Sequence, residues 1–509
     1  MNPTPDQSPL KICMVASEVV PLAKTGGLAD VVGALAIEFA KLGHDVCVML
    51  PAYRQVDELG YQMTDGVRLS VPAGPSLMDV RVQEVFAPPL DVKGHGRLRV
   101  FVVRHDPFFS RSGLYQEAGR DYPDNLDRFV LFCRAVMEMV IHLGEHEGWQ
   151  ADLLHLHDWQ AALCAVFLRT QYQGRPSLSR TRSVLTIHNL GYQGLFPAAQ
   201  FSSTGLPLHL FTPAALEFYG QVNVLKGGLV FADLLITVSP NYSQEIQTPE
   251  YGCGLEGVIT ERKNVLSGIV NGIDTDSWNP ATDPNLIAPY NVSNLSGKAR
   301  CKKALQRELG LRLLKEPLLG VIARLTSQKG IDLVLDVLPD LMELDVQVVI
   351  LGTGEPHYEQ QVREWAERYP GKIAVRNVFD EGLAHRIEAG ADLFIMPSRY
   401  EPCGLSQLYS LRYGTVPVVR RTGGLADTVV SYTPRTFKES RATGFSFTDS
   451  NSASLLTSLL LALSVYRKKA DWQRLVRTGM GQDLSWSRSA FIYLQLFRDV
   501  VSREGEQKT

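Results

Sequence analysis

From Lys11 onward, short apolar runs alternate with longer stretches whose apolar positions recur every three or four residues. KICMVAS reads as a strand. Leu28, Val31, Val32, Leu35, Phe39 and Leu42 then share one helical face, closed by Gly43 as a C-terminal stop, and DVCVML is the next strand. This βαβ opening implies a parallel sheet covered by helices, and the same grammar returns at DLLHLHD, SVLTIHN and DLLITVS. A second series begins near Leu318. Its strands are LLGVIARL, VQVVILG, KIAVRNV, DLFIMPS and TVPVVR. Its helices are IDLVLDVLPDLMEL, YEQQVREWAERY, LAHRIEA and LSQLYSLRYG, each unit about the length of a βα repeat. The pattern predicts an α/β protein with two Rossmann-like domains facing each other, joined near Asn264 to Asn279. ATDPNLIAPYNVSNLSG, polar and broken by prolines, reads as an inter-domain connection.

Two features interrupt the rhythm. Between Tyr61 and Asn125, VRVQEVFA and LRVFVVRH read as strands and Phe108 to Tyr122 as an aromatic loop, together an insertion on the first domain. The aromatic residues of that loop suit either stacking on sugar rings or packing as lid and core. The second feature is an echo: Lys24-Thr-Gly-Gly-Leu-Ala-Asp30 is nearly repeated as Arg421-Thr-Gly-Gly-Leu-Ala-Asp427. Each precedes a helix, whose free N–H groups suit an anion, while paired glycines also serve tight turns. Lys24 adds charge to the first copy and favours a functional reading there.

Composition narrows the classes. A chain of 509 residues exceeds one hydrophobic core, in keeping with two domains. Lysine plus arginine number 51 against 54 acidic residues, so no basic field for nucleic acid exists and any anion must be gripped locally. The seven scattered cysteines include no Cys-x-x-Cys and fit reduced thiols rather than a disulfide framework. The start, MNPTPDQSPL, lacks the features of a signal peptide. No run is long enough to span a membrane; the longest candidate, Leu455 to Tyr466, reads as a buried helix. A cytoplasmic protein is expected.

Neither domain carries a Walker P-loop or a clean Gly-x-Gly-x-x-Gly, which argues against a phosphotransferase or a dinucleotide oxidoreductase. In Ala323-Arg-Leu-Thr-Ser-Gln-Lys-Gly330 a strand ends in a loop bearing Arg324 and Lys329, just before a helix. Two cations in that position suit a diphosphate, and they also suit a solvated surface loop. Arg399-Tyr-Glu-Pro-Cys-Gly-Leu-Ser406 again joins strand to helix, with Glu401 placed either for sugar hydroxyls or as an ordinary charge at a helix N-terminus, and with the N–H groups of Cys403, Gly404 and Leu405 at the helix start. His155 and His157 suggest a metal only weakly, because no third ligand cluster supports them. Asp274-Thr-Asp276 follows an Asn-Gly turn and reads as a turn itself. His188 ends a strand at a glycine-punctuated loop, a place suited equally to a group beside a reacting carbon and to a structural histidine.

Taken together, KTGGLAD, TIHNLGYQG, VNGID, ARLTSQKG, EPCGLSQLYSLRYG and RRTGGLADTV closely resemble, in this order and over essentially the whole chain, the bacterial glycogen synthases and plant starch synthases. The resemblance implies the GT-B fold, two Rossmann-like domains across a deep cleft. It implies an acceptor-side domain over 1–264, a nucleotide-sugar domain over 265–485, and a C-terminal helix, 486–509, packing back on the first. It also implies a retaining glucosyltransferase that moves glucose from ADP-glucose to the non-reducing end of an α-1,4-glucan such as glycogen, without metal or cofactor. Glu401, His188, Arg324 and Lys329 are then the catalytic group. Lys24, Gly26, Gly27, Asp30, Asp158, Asn271, Gly354, Cys403, Gly404 and Leu405 are the substrate-binding residues. Two positions depart from the usual motif, Ala29 for Gly and Ala36 for Pro, and Ala29 falls inside a helix where alanine is tolerated. Tyr409 stands where other GT-B enzymes often carry a ribose-binding Glu, which leaves the ribose partner open. UDP-glucose as donor, glucose 1-phosphate as acceptor, and a silent glucan-binding scaffold are the alternatives. The presence of Lys24, Arg324, Lys329 and Glu401 argues against the last.

Overall fold

Ile12, Val15, Leu153, Leu156, Val184 and Ile187 are all shielded from solvent, because the strands carrying them lie in the middle of one parallel sheet covered on both faces. In the computed structural model, which describes residues 8–73, 76–92 and 96–502, that sheet belongs to the first of two units. The first comprises the chain to Val238, Ser243–Ile269 and the C-terminal segment from Ser489; the second comprises Ser239–Tyr242 and Val270–Arg488. Residues 1–7, which hold most of the segment read for a signal peptide, and 503–509, the end of the expected last helix, lie outside the described residues.

In the first unit the parallel strands run, across the sheet, Leu266–Gly268, Leu234–Thr237, Arg182–Ile187, Leu153–His157, Lys11–Val15, Asp45–Pro51 and Arg97–Arg104. The chain starts in the middle, builds outward on one side through Asp45–Pro51, and returns to build the other side from Leu153–His157. The order therefore reverses between Lys11–Val15 and Leu153–His157, and crevices for ligands open at the carboxyl ends of strands at such a point. The expected insertion needs one correction. LRVFVVRH is the parallel edge of the main sheet, while Ser76–Phe86, Val67–Ala73 and Gln62–Met63 extend it with antiparallel strands.

Most of the aromatic segment is held by packing. Phe109 is fully buried, and Tyr53 meets its ring edge-on. The anchor is Arg128, 0% exposed, on the helix Asn125–Glu147. Its guanidinium donates to the Phe108 carbonyl at 2.7 Å, the Leu114 carbonyl at 2.9 Å and Asn125 Oδ1 at 2.6 Å, and lies 4.9 Å from the centre of the Tyr122 ring. The final helix, Trp486–Ser502, places Tyr493 and Phe497 against Phe39 and His155.

The second unit has six parallel strands in the order Ile373–Arg376, Gln347–Leu351, Leu318–Ile322, Leu393–Met396, Val416–Arg420 and Phe445–Phe447. Its first strand is again central, and the order reverses between Leu318–Ile322 and Leu393–Met396. Two readings change here. ATDPNLIAPYNVSNLSG is part of this unit rather than a connection: Ala288 and Tyr290 lie in its core, and Asp283 accepts from Tyr413 Oη at 2.6 Å and His385 Nδ1 at 2.7 Å. The helix Ser452–Tyr466 buries Leu455, Leu459 and Leu463 but leaves Leu460 and Leu461 exposed, so it is a surface helix with one buried face. No described helix is long and apolar enough to cross a membrane.

Replacing Arg128 with Leu strands two buried carbonyls and an amide oxygen. The variant should lose roughly 2–4 kcal/mol of stability, read by chemical denaturation; a midpoint within error of the parent would refute the anchoring role.

Candidate active site

The first unit gathers its polar groups at the carboxyl ends of Lys11–Val15, Leu153–His157 and Arg182–Ile187. The loop after Lys11–Val15 carries Glu18, 5% exposed, which the sequence reading did not single out. Glu18 accepts from the Thr25 N–H, from Thr25 Oγ1 at 2.6 Å, from the Gly26 N–H at 3.2 Å and from Tyr115 Oη at 2.7 Å. A buried carboxylate thus fixes the Lys24–Gly27 loop from beneath, and the aromatic segment braces it through Tyr115. Above it Lys24 is 46% exposed and pairs with Asp30 on the following helix, Gly27–Lys41, at 2.7 Å. Gly26 has no atom within 4 Å of where a Cβ would stand, so this loop faces open space.

Asp158 follows directly on Leu153–His157 in a left-handed conformation, φ +55°, rare outside glycine, asparagine and aspartate. Its Oδ1 accepts from the His188 N–H at 2.7 Å, which joins the ends of two strands. Burial outweighs the backbone N–H groups of His188 and Asn189 and pushes its carboxyl up to about 7. His188 Nε2 lies 3.0 Å from His157 Nδ1, and His155 Nε2 lies 2.8 Å from Thr186 Oγ1. Burial lowers all three imidazoles, so the cluster is neutral near pH 7. The His-x-His pair serves in these hydrogen bonds, and among the described residues no group of three or more His, Cys, Asp or Glu is arranged to hold a metal ion.

In the second unit, the loops after Leu318–Ile322 and Leu393–Met396 are zipped together. The Arg399 N–H donates to the Gln328 carbonyl at 2.9 Å, and Gln328 Nε2 donates to the Tyr400 carbonyl at 3.2 Å. The Arg399 guanidinium reaches the Ser327 carbonyl at 2.6 Å and both oxygens of Asp332 at 2.7 and 2.5 Å. This clamp brings Lys329 Nζ to 2.6 Å from Glu401 Oε2, which also accepts from Ser398 Oγ at 3.0 Å. Glu401 is 7% exposed, whereas Arg324 stands in solvent at the mouth of the same loops. Gly354 lies against the Leu325 backbone, where a Cβ would come within 2.2 Å of the carbonyl oxygen. Cys403 is buried and its sulfur faces the Asn271 N–H, while Gly404 takes φ +70° and Leu405 caps the helix Ser406–Tyr413. Asn271 Oδ1 is buried with no hydrogen-bond partner among the described residues.

The two copies of the Thr-Gly-Gly motif behave differently. Gly423, at φ +44°, and Gly424 press on the Glu401–Cys403 backbone; a Cβ would lie 1.8 Å from the Glu401 carbonyl oxygen and 2.2 Å from that of Cys403. The first copy is an exposed loop, and the second is the floor under Glu401. Asp274 accepts from the Asp276 and Ser277 N–H groups, the turn expected for that motif. Tyr409 stacks on Trp278 at 3.6 Å, with His385 on the same ring at 3.7 Å.

Starch synthase catalytic domains match residues 11–261, and group 1 glycosyl transferases match residues 303–477. Glycogen synthase 2 of Nitrosococcus oceani is 46% identical over 97% of this chain and 98% of its own length. The chain belongs to the glycogen and starch synthase family. The glycogen synthase of Thermotoga maritima is 45% identical over 97% of this chain and all of its own. Among solved structures, the catalytic domain of starch synthase IV from Arabidopsis thaliana, bound to ADP and acarbose, superposes with a TM-score of 0.86 at 34% identity, covering 97% of this chain and all of that one. Sucrose-phosphate synthase from Thermosynechococcus elongatus shares the fold, with a TM-score of 0.59 at 16% identity. The fold is thus the two-unit α/β architecture of GT-B glycosyltransferases.

Two predictions follow from this geometry. An unfolded Asp ionises near 3.8 whereas Asp158 holds its proton to about 7, so between these values the unfolded state binds fewer protons and stability falls as pH rises. Asp158→Asn keeps the acceptor oxygen and tolerates φ +55°, so its unfolding midpoint should gain on the parent from pH 5 to 7 and run parallel above. A pH-independent difference would contradict the raised carboxyl. Gly423→Ala should lower stability by roughly 1–3 kcal/mol and weaken donor binding by displacing Glu401; unchanged donor saturation would separate the floor from the site.

Proposed function

We propose that the chain is a retaining glucosyltransferase that transfers glucose from ADP-glucose to the non-reducing end of an α-1,4-glucan, extending glycogen in the cytoplasm. The observation that carries the reading is the Lys329–Glu401 pair, held beside Arg324 where the strand order of the second sheet reverses. Family membership, together with the ADP and acarbose bound by the starch synthase IV relative, supports the nucleotide and glucan classes.

In this reading Arg324 and Lys329 hold the diphosphate, Gly354 admits the nucleotide close to backbone, and Glu401, Asn271 and the N–H groups of Cys403, Gly404 and Leu405 hold the glucose hydroxyls. As the glycosidic C–O bond breaks, its electrons pass to the phosphate oxygen, and cations fixed beforehand stabilise that growing charge more than they stabilise the ground state. The acceptor hydroxyl adds to the same face of the sugar, and its proton passes to the departing phosphate oxygen. Lys24 and the exposed Gly26–Gly27 turn are the first unit's contacts to the donor, with Asp30 orienting Lys24. Asp158 accepts from the acceptor glucan. His188, neutral and fixed through His157, places its backbone carbonyl and ring beside the glucose.

Nucleotide release on mixing the protein with glycogen and either ADP-glucose or UDP-glucose, with and without EDTA, tests this. Fast ADP release that requires glycogen and ignores EDTA is expected. Lys329→Ala should retain the fold and lose roughly 10²–10³ in kcat, the scale for one preorganised charge-stabilising donor. Parental turnover in that variant would remove Lys329 from the reaction.

A further inference from the structure

A second concavity lies within the second unit, at the opposite edge of its sheet from the Arg324, Lys329 and Glu401 loops. It forms where Lys315–Pro317, Leu344–Val346 and Asp392 enter their strands at the amino ends, and the helices Ser452–Tyr466 and Lys469–Met480 wall it. Its volume is about 480 Å³, within the range of ordinary ligand pockets. The proposed reaction makes no use of it.

The lining is built in two layers. Val346, Leu463 and Trp472 are buried and make an apolar floor, with the half-buried Tyr466 ring meeting Trp472 edge-on at 5.1 Å. Tyr466 is fixed by its hydroxyl, which donates to the Lys315 carbonyl at 3.1 Å. Asp392 belongs to the scaffold, since it accepts from Lys302 Nζ at 2.6 Å and from the Leu318 N–H at 2.9 Å. The rim is different: Lys315, Arg467, Lys469, Asp345 and Gln473 are exposed and offer both donors and acceptors around the apolar floor.

That mixture discriminates between ligand classes. A phosphate-bearing ligand would meet Asp345 and Glu316 as well as the cations Lys315, Arg467 and Lys469, so the lining presents both signs of charge rather than a basic cradle. A sugar chain needs what the rim supplies: each hydroxyl both donates and accepts, and each ring has an apolar face for an aromatic or aliphatic floor. We propose that this pocket is an anchoring site for a neutral α-glucan chain, separate from the reacting end. The inference rests on the glucan-extending reading above. A branched polymer held here keeps its other chain ends at high effective concentration, so anchoring acts on long acceptors and not on short ones.

The test is the double variant Asp345→Ala/Gln473→Ala, which removes two exposed rim groups far from the donor loops. In native gels cast with glycogen, its retardation should weaken roughly tenfold relative to the parent, about the loss of one or two hydrogen bonds to charged or amide groups. The apparent KM for glycogen should rise in parallel, with kcat unchanged and with KM for a short maltooligosaccharide unchanged. Parental retardation and KM in the double variant would overturn the anchoring site. So would release of the parent protein from the gel by inorganic phosphate but not by maltoheptaose, which would mark an anion site instead. Failure of the enzymatic reading is a separate result: no nucleotide release by the parent protein with any acceptor.

Discussion

Parallel strands buried on both faces leave a chain few places for polar chemistry, and every candidate residue follows from that constraint. The central strands of both units are solvent-free and mostly apolar, so charged groups collect where strands end. Neighbouring crossovers diverge at only one point of each sheet, between Lys11–Val15 and Leu153–His157 in the first and between Leu318–Ile322 and Leu393–Met396 in the second. Glu18, Lys24 and Asp158 occupy the first of these points, and Arg324, Lys329 and Glu401 the second.

Divergent loops must then be held at fixed distances, and the chain does this with ion pairs, with a buried carboxylate and with glycine. Arg399 ties the two loops of the second unit through Ser327 and Asp332, so that Lys329 and Glu401 meet at 2.6 Å. Glu18 plays the corresponding part in the first unit by accepting backbone N–H groups of the Lys24 loop. Close backbone approach does the rest. Gly330, at φ +71°, lets its turn lie against Pro397, and Gly423 lets the Glu401 loop sit directly on the following helix start. Larger side chains at these positions would move the charged groups by the same ångström that their pairing requires.

How much of this the sequence displays depends on the range of the interaction. Strands covered on both faces appear as uninterrupted apolar runs, so the central strands of both sheets and the loops at their ends are readable directly. Partners distant in sequence leave no such trace. Glu18 is one acidic residue after a strand until Tyr115, 97 positions on, is seen to donate to it. Arg128 looks like an ordinary helix charge, and ATDPNLIAPYNVSNLSG looks like a linker because its prolines and asparagines hide Ala288 and Tyr290, whose burial depends on residues more than a hundred positions away. LRVFVVRH was legible as a strand but not as part of the parallel sheet, since pairing direction is set by the partner, Asp45–Pro51.

The two Thr-Gly-Gly copies show why a motif alone does not assign a role. Their sequences differ chiefly in Lys24 against Arg421, yet the first exposes its glycines and the second buries them under Glu401 and Cys403. What separates them is the length of chain before each. The first follows a long loop, Ala16–Gly26, which lifts it from the sheet edge, and the second follows its strand, Val416–Arg420, almost at once and is pressed against the neighbouring loop. The same backbone grammar therefore makes an exposed loop or a rigid floor, and the distance from the preceding strand decides which.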